Sequence, residues 1–223
     1  MIEVELKFEI APAAWPQLEQ HLAGMQFVCQ VRNSDRYYDT ADFDLLSQAV
    51  FVRVRNQARL ECKFNERAAP AHTDCTERAF PLAPEPGQAS EMNALFSRFL
   101  PGWRSARTVH EALAHNGLLE LARIENHRTQ YAWEDLVVCV DRVEGLGDFL
   151  EIETQCREER ETEQALARLE RVVVGIALRP VRVGYVERWL RIHHPQAYVR
   201  GNYQEEPEGF SADARAHEGK ECL

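Results

Sequence analysis

The first eight residues read Met1-Ile2-Glu3-Val4-Glu5-Leu6-Lys7-Phe8. Side chains on a strand alternate between its two faces, so Glu3, Glu5 and Lys7 share one face while Ile2, Val4, Leu6 and Phe8 share the other. One such strand is an ordinary solvated sheet surface. The same period-two charge recurs at Arg53/Arg55, Glu61/Lys63 and Glu151/Glu153, each time with apolar residues in the alternate positions. Four strands of this kind indicate one shared charged face. A sheet cannot pack that face on a hydrophobic core. Closing it into a barrel with a polar interior resolves the conflict, because charges of both signs then pair, bind metal or hold an anion.

The totals agree with a single folded unit. The chain has 223 residues and a hydrophobic content of 45%, enough for a full core. Its formal net charge of −10 argues against a nucleic-acid or anionic-membrane binder. An anionic ligand must therefore be recognised by a local cluster of Lys and Arg. No apolar run approaches the ~18–20 residues of a membrane helix, and Glu3 and Glu5 interrupt any signal-peptide pattern, so a cytoplasmic location is expected. The cysteines, Cys29, Cys62, Cys75, Cys139, Cys156 and Cys222, form no C-x-x-C pair and no cluster with histidine. They read as buried free thiols rather than zinc ligands or disulfides.

Along the chain, strands are predicted over 1–8, 28–32, 35–40, 49–55, 59–64, 73–80, 118–128, 129–133, 136–142 and 149–157, a count of about eight or nine, mostly in adjacent pairs. Asn56-Gln57-Ala58 joins a hairpin. Helical spacing of apolar residues covers 12–24, 90–99, 161–178 and 184–193, with Ser90 as a candidate N-cap. The segment 81–87 holds three prolines and reads as a loop within one domain. Neighbouring strands joined by short turns favour antiparallel pairing. The expected fold is α+β: a closed eight-stranded antiparallel barrel over 1–200 with flanking helices, then a polar tail over 201–223. His193-His194 has no partner motif and reads as plain surface.

The inward positions carry the chemistry. The acids are Glu3, Glu5, Glu61, Glu77, Asp141, Glu151 and Glu153; the bases are Lys7, Arg53, Arg55, Lys63 and Arg128. Several carboxylates suit Mg²⁺ or Mn²⁺, which take hard oxygen donors and retain waters that a phosphate can replace. Arg and Lys suit phosphate oxygens, Arg through its bidentate fork and Lys as a point charge. Acids alone indicate a metal site and bases alone an anion site. Together they indicate a metal–polyphosphate site.

This pattern resembles the CYTH superfamily, the triphosphate tunnel metalloenzymes, with thiamine triphosphatase the nearest in look. The resemblance rests on Glu3-x-Glu5-x-Lys7, on Tyr37-Tyr38-Asp39-Thr40, on Arg53-x-Arg55, on Glu61-x-Lys63 and on the run Asp141 through Glu153, in family order across about residues 1–190. It implies an eight-stranded tunnel binding a triphosphate-containing small molecule with a divalent metal, as monomer or homodimer. By the same resemblance Glu3, Glu5 and Glu153 hold Mg²⁺ or Mn²⁺, and Asp141, Glu151 and Glu77 serve a second ion or the attacking water. Lys7, Arg53, Arg55, Lys63 and Arg128 grip the phosphates, and Tyr37 with Lys63 assists proton transfer. Val183 stands where the family places a Lys or Arg before the Tyr of the final helix, and Arg182 is the substitute. The expected activity is hydrolysis of thiamine triphosphate or inorganic triphosphate. The alternatives are cyclisation of ATP to cyclic AMP in the same tunnel, or polyphosphate binding without turnover. Substrate choice is expected to depend on loops such as 66–74.

Overall fold

The computed structural model describes residues 2–66 and 75–203. Residues 67–74, where a loop is expected, and residues 204–223, which hold most of the expected polar tail and Cys222, lie outside the described residues. One antiparallel sheet dominates. It comprises β1 (Ile2–Glu9), β2 (Gln26–Asp39), β3 (Phe51–Arg55), β4 (Arg59–Asn65), β5 (Cys75–Pro81), β6 (Leu119–Trp133), β7 (Leu136–Val143), β8 (Gly147–Cys156) and β9 (Arg179–Val181), in the order β5-β4-β3-β2-β6-β7-β8-β1-β9. The fold is α+β, as expected.

The sheet differs from a closed eight-stranded barrel in two ways. It has nine strands, and among the described residues its edges β5 and β9 share no ladder. β9 is only three residues long and contains Pro180, which has no N–H to donate, so it ends the sheet. Residues 28–32 and 35–40 belong to one 14-residue strand and 118–128 and 129–133 to one 15-residue strand, so the ten predicted segments make eight strands, and the unanticipated β9 is the ninth. Register shifts at Phe27/Cys29 and Tyr37/Tyr38 bend this long pair instead of breaking it. The sheet nevertheless curls far enough for β1, β2, β3, β4, β5, β6 and β8 to line one cavity.

Helices cover the outer, apolar faces. Among the described residues, α1 (Trp15–Leu22) and α5 (Thr162–Val172) pack Leu18, Leu22, Leu169 and Val172 against Leu136, Val138, Leu150 and Ile152. The helices α3 (Pro86–Phe99) and α4 (Val109–His115) bury Met92, Phe96 and Val109 against β3, β4 and β5. Each such side chain contributes about 1.5–3 kcal/mol relative to exposure. Helix α3 begins four residues before the anticipated Ser90. Pro86 occupies its first turn, where a missing N–H is harmless, and Glu85 and Gln88 form a reciprocal capping box. The short helix α2 (Asp44–Ser47), α6 (Tyr185–His193) and α7 (Pro195–Tyr198) gather around Phe149, Val183 and Leu190.

Cys62, Cys139 and Cys156 are buried free thiols and Cys29 is a half-buried one. Burial pushes the Cys62 and Cys139 thiols up to about 12, so both stay protonated. Among the described residues no helix is long and apolar enough to cross a membrane.

Candidate metal–polyphosphate site

The alternation that opens the chain continues across the ladders. Glu5 lies opposite Glu153, and Lys7 opposite Glu151, where β1 pairs β8. Arg53 lies between Tyr37 on β2 and Glu61 on β4, and Arg55 lies opposite Asp35. Lys63 occupies the next row, opposite Phe51 and Glu77. Arg128 lies opposite Asp141. All of these except Asp141 line a cavity of about 210 Å³. Its wall holds eight carboxylates and five cations, so the cavity is anionic on balance when all are charged.

One part of the wall is crowded with like charge. Carboxylate oxygens of Glu3, Glu5 and Glu153 lie within 4.8 Å of one another. Burial, then the neighbouring Glu151, Glu3 and Glu5, push the Glu153 carboxyl up to about 7. Burial also raises Glu3; Lys63 across the cavity opposes this, while Glu5, Glu77 and Glu151 add to it. Three converging oxygen donors with stored repulsion fit a hard divalent cation, which would offset it.

The rest of the wall is paired. Asp141, fully buried, receives Arg128 Nε and Nη2 at 2.7 and 2.6 Å, and Tyr185 donates its hydroxyl to the same carboxylate at 2.7 Å. Arg128 Nη2 also reaches Glu151 at 2.8 Å. Lys7 Nζ bridges Glu5 at 2.7 Å and Glu151 at 3.2 Å. Burial alone would raise Glu151, but the Lys7 and Arg128 cations outweigh it and hold the carboxyl at about 2. On the facing strands Arg55 forks onto buried Asp35 at 2.8 and 2.7 Å. Arg53 Nε donates to Glu61 at 2.7 Å and its Nη1 donates to the Tyr37 hydroxyl at 3.1 Å. Burial opposes ionisation of Glu61, yet Arg53 and Arg55 bring it below the usual range. Arg59 donates to the same carboxylate. Burial raises the Tyr37 phenol, so its proton is retained at neutral pH.

Among the described residues, the sequence-predicted positions therefore separate into groups. Glu3, Glu5 and Glu153 come together as one acidic cluster. Asp141 and Glu151 face Arg128 and Lys7, where they orient cations. Glu77 is half exposed at the cavity wall, 3.9 Å from Arg53. Lys7, Arg53, Arg55, Lys63 and Arg128 all line the cavity. Arg182 does not: it is exposed, while its neighbours Val181 and Val183 are buried. Val181 and Val183 are both held in the apolar core around α6, which leaves the side chain between them outside. His193 packs on Trp189, and His194 accepts an N–H from Ala197 at the start of α7.

Site residues missing from the sequence-predicted set include Asp35, Tyr185 and Glu187: Asp35 opens the Asp35-to-Thr40 stretch without a period-two acidic partner, and Tyr185 and Glu187 lie at the start of a helix, outside any charged strand. In the Tyr37-to-Thr40 motif, Asp39 has a structural task. It is buried and accepts N–H groups from Thr40, Leu45 and Leu46, closing the turn into α2.

The CYTH domain family model matches residues 1–174. The chain belongs to the CYTH domain family. Solved CYTH-like structures share the fold at low identity. The PH1819 protein of Pyrococcus horikoshii is 23% identical with a TM-score of 0.60, over 85% of this chain and 98% of that one. A candidate adenylate cyclase of Vibrio parahaemolyticus is 15% identical with a TM-score of 0.56, over 84% and 97%. The candidate adenylyl cyclase HpAC1 of Hippeastrum, described as revealing a dominant triphosphatase activity, is 22% identical with a TM-score of 0.53, over 83% and 92%. No curated protein matches the chain in sequence. The CYTH match ends before α6, although Gly184, Tyr185, Val186 and Glu187 line the same cavity.

Proposed function

We propose that this protein is a metal-dependent triphosphatase that hydrolyses a small triphosphate to the diphosphate and phosphate. The observation that carries this reading is a three-carboxylate cluster and five cations lining one small cavity. CYTH proteins are typically enzymes that act on triphosphates and depend on metal. Glu3, Glu5 and Glu153 would hold Mg²⁺ or Mn²⁺, which would polarise phosphate oxygens and offset charge on the leaving diphosphate. Lys7, Lys63, Arg53, Arg55 and Arg128 bind the phosphate chain. Each of the Arg128 and Arg55 guanidiniums is fixed from behind by a buried aspartate, which orients its remaining N–H groups without reorganisation during the reaction. Tyr37 keeps its O–H proton for a phosphate oxygen. Glu151, held between Lys7 and Arg128, would help position the attacking water.

Cavity size bears on the substrate. At about 210 Å³ the space lies below the ~300–1,000 Å³ typical of drug-sized ligands. It suits a chain of phosphates, with any organic group left at the mouth. Inorganic triphosphate and thiamine triphosphate are the favoured substrates over ATP, and a monomer or homodimer in the cytoplasm is the corresponding biological setting. The dominant triphosphatase activity described for HpAC1 supports hydrolysis over cyclisation.

The test is phosphate release from inorganic triphosphate, thiamine triphosphate and ATP in Mg²⁺ and in Mn²⁺, with cyclic AMP measured in parallel. Metal-dependent phosphate release is expected. Cyclic AMP from ATP without phosphate release would replace hydrolase by cyclase. Tight triphosphate binding without turnover would leave a binding module.

A further inference from the structure

Tyr185 is the first residue of α6, beyond the matched residues 1–174, and it makes two contacts in the phosphate-binding wall. Its hydroxyl donates to Asp141 at 2.7 Å, on the carboxylate oxygen that also receives Arg128. Its ring lies under Lys7, with Nζ 5.0 Å from the ring centroid, and is backed by Phe149 at 4.9 Å. Lys7 and Arg128 are themselves joined through Glu151. Tyr185 thus closes a ring of contacts running through Asp141, Arg128, Glu151 and Lys7. Without its hydroxyl, Asp141 loses one of the donors that fix its plane, and with it the aim of the Arg128 fork. Without its ring, Lys7 loses the π-face that favours a cation at that point.

We infer that Tyr185 is a positioning residue through which the C-terminal helix sets Lys7 and Arg128 for binding the phosphate chain. This rests on the triphosphate reading of the cavity. Burial and the adjoining Glu151 and Asp141 carboxylates raise the phenol well above its usual value, so it remains a donor at working pH.

The experiment is calorimetric titration of the full chain with inorganic triphosphate in Mg²⁺, for wild type, Tyr185→Phe and Tyr185→Leu. Once Tyr185 no longer fixes Asp141, and through it the Arg128 fork, the Phe variant is expected to bind about tenfold more weakly. The Leu variant, lacking the ring as well, binds more weakly still. Mn²⁺ affinity stays near wild type in the Phe variant, which retains the ring between Phe149 and Lys7; a merely structural role would lower the thermal midpoint and leave triphosphate affinity unchanged. Tyr185→Phe is non-additive with Arg128→Lys and additive with Arg55→Lys, which lies on the opposite wall. Wild-type affinity in both Tyr185 variants, or additivity with Arg128→Lys, overturns the inference while the triphosphate reading stands. Absence of triphosphate binding by the wild type, with Mn²⁺ still bound, overturns both.

Discussion

Two sets of charges at the cavity solve the same electrostatic problem differently. In the paired set every carboxylate has a cation beside it: Asp35 with Arg55, Glu61 with Arg53, Asp141 with Arg128. Glu61 and Glu151 there stay ionised below the usual carboxylate range. In the acidic set Glu3, Glu5 and Glu153 crowd within 4.8 Å and two of them are pushed upward. Paired charge builds a scaffold that holds guanidinium forks still. Crowded like charge is costly in a fold unless a cation offsets it, and it marks where divalent chemistry belongs.

That contrast can be broken most directly in the acidic set. Glu3→Gln or Glu5→Gln is expected to lower phosphate release by more than the ~10–100-fold typical of outer-shell changes, with circular dichroism unchanged. Normal turnover by either variant would remove the cluster from the reaction.

In the paired set the large effect is on stability. Asp141→Ala removes the fully buried partner of Arg128, which keeps Glu151, and leaves the Tyr185 hydroxyl without its acceptor, at a cost of about 1–3 kcal/mol read as a lower denaturant midpoint. A midpoint shift under ~1 kcal/mol would show that the pair is not a scaffold.

The pH dependence separates the two sets by sign. Glu153 and Glu3 bind protons more tightly folded than unfolded, so their contribution is present at low pH and lost as pH rises through about 7. In chelator, the thermal midpoint should fall between about pH 5 and 8. Mg²⁺ or Mn²⁺ should flatten that fall. Glu151, held at about 2, acts oppositely: its contribution is present above the unfolded carboxylate range and is lost as pH drops toward 2.

Two smaller effects lie outside the cavity. Asp39→Ala leaves three N–H groups without their acceptor and should cost about 1–3 kcal/mol, with triphosphate affinity retained. Arg182→Ala is expected to change stability by no more than ~0.5 kcal/mol and phosphate release not at all. A loss of triphosphate affinity there would restore Arg182 to the site.

Much of this was legible in the residues. Period-two charge at Glu3/Glu5/Lys7, Arg53/Arg55, Glu61/Lys63 and Glu151/Glu153 named an inner face, because alternation is a property of any strand. The hairpin at Asn56 and Gln57 was legible for a similar reason: both take positive φ, and the turn is local. Strand ends were less so. Asn33-Ser34 resembles a break, yet Asn56 in the β3–β4 turn and Glu125 on β6 satisfy those side chains and β2 runs on. That information sits 23 and 91 residues away.

The sequence by itself determined which side chains face inward and that they carry both signs of charge, since parity along a strand needs no partner. Only the tertiary structure decided which acids meet one another and which meet arginines, because that depends on ladder register and sheet curl. It placed Asp141 and Glu151 beside cations, turned Arg182 outward between two buried valines, and brought Tyr185 from a late helix against Lys7 and Asp141. Each of those outcomes follows from contacts between segments far apart in the chain, where local periodicity has nothing to say.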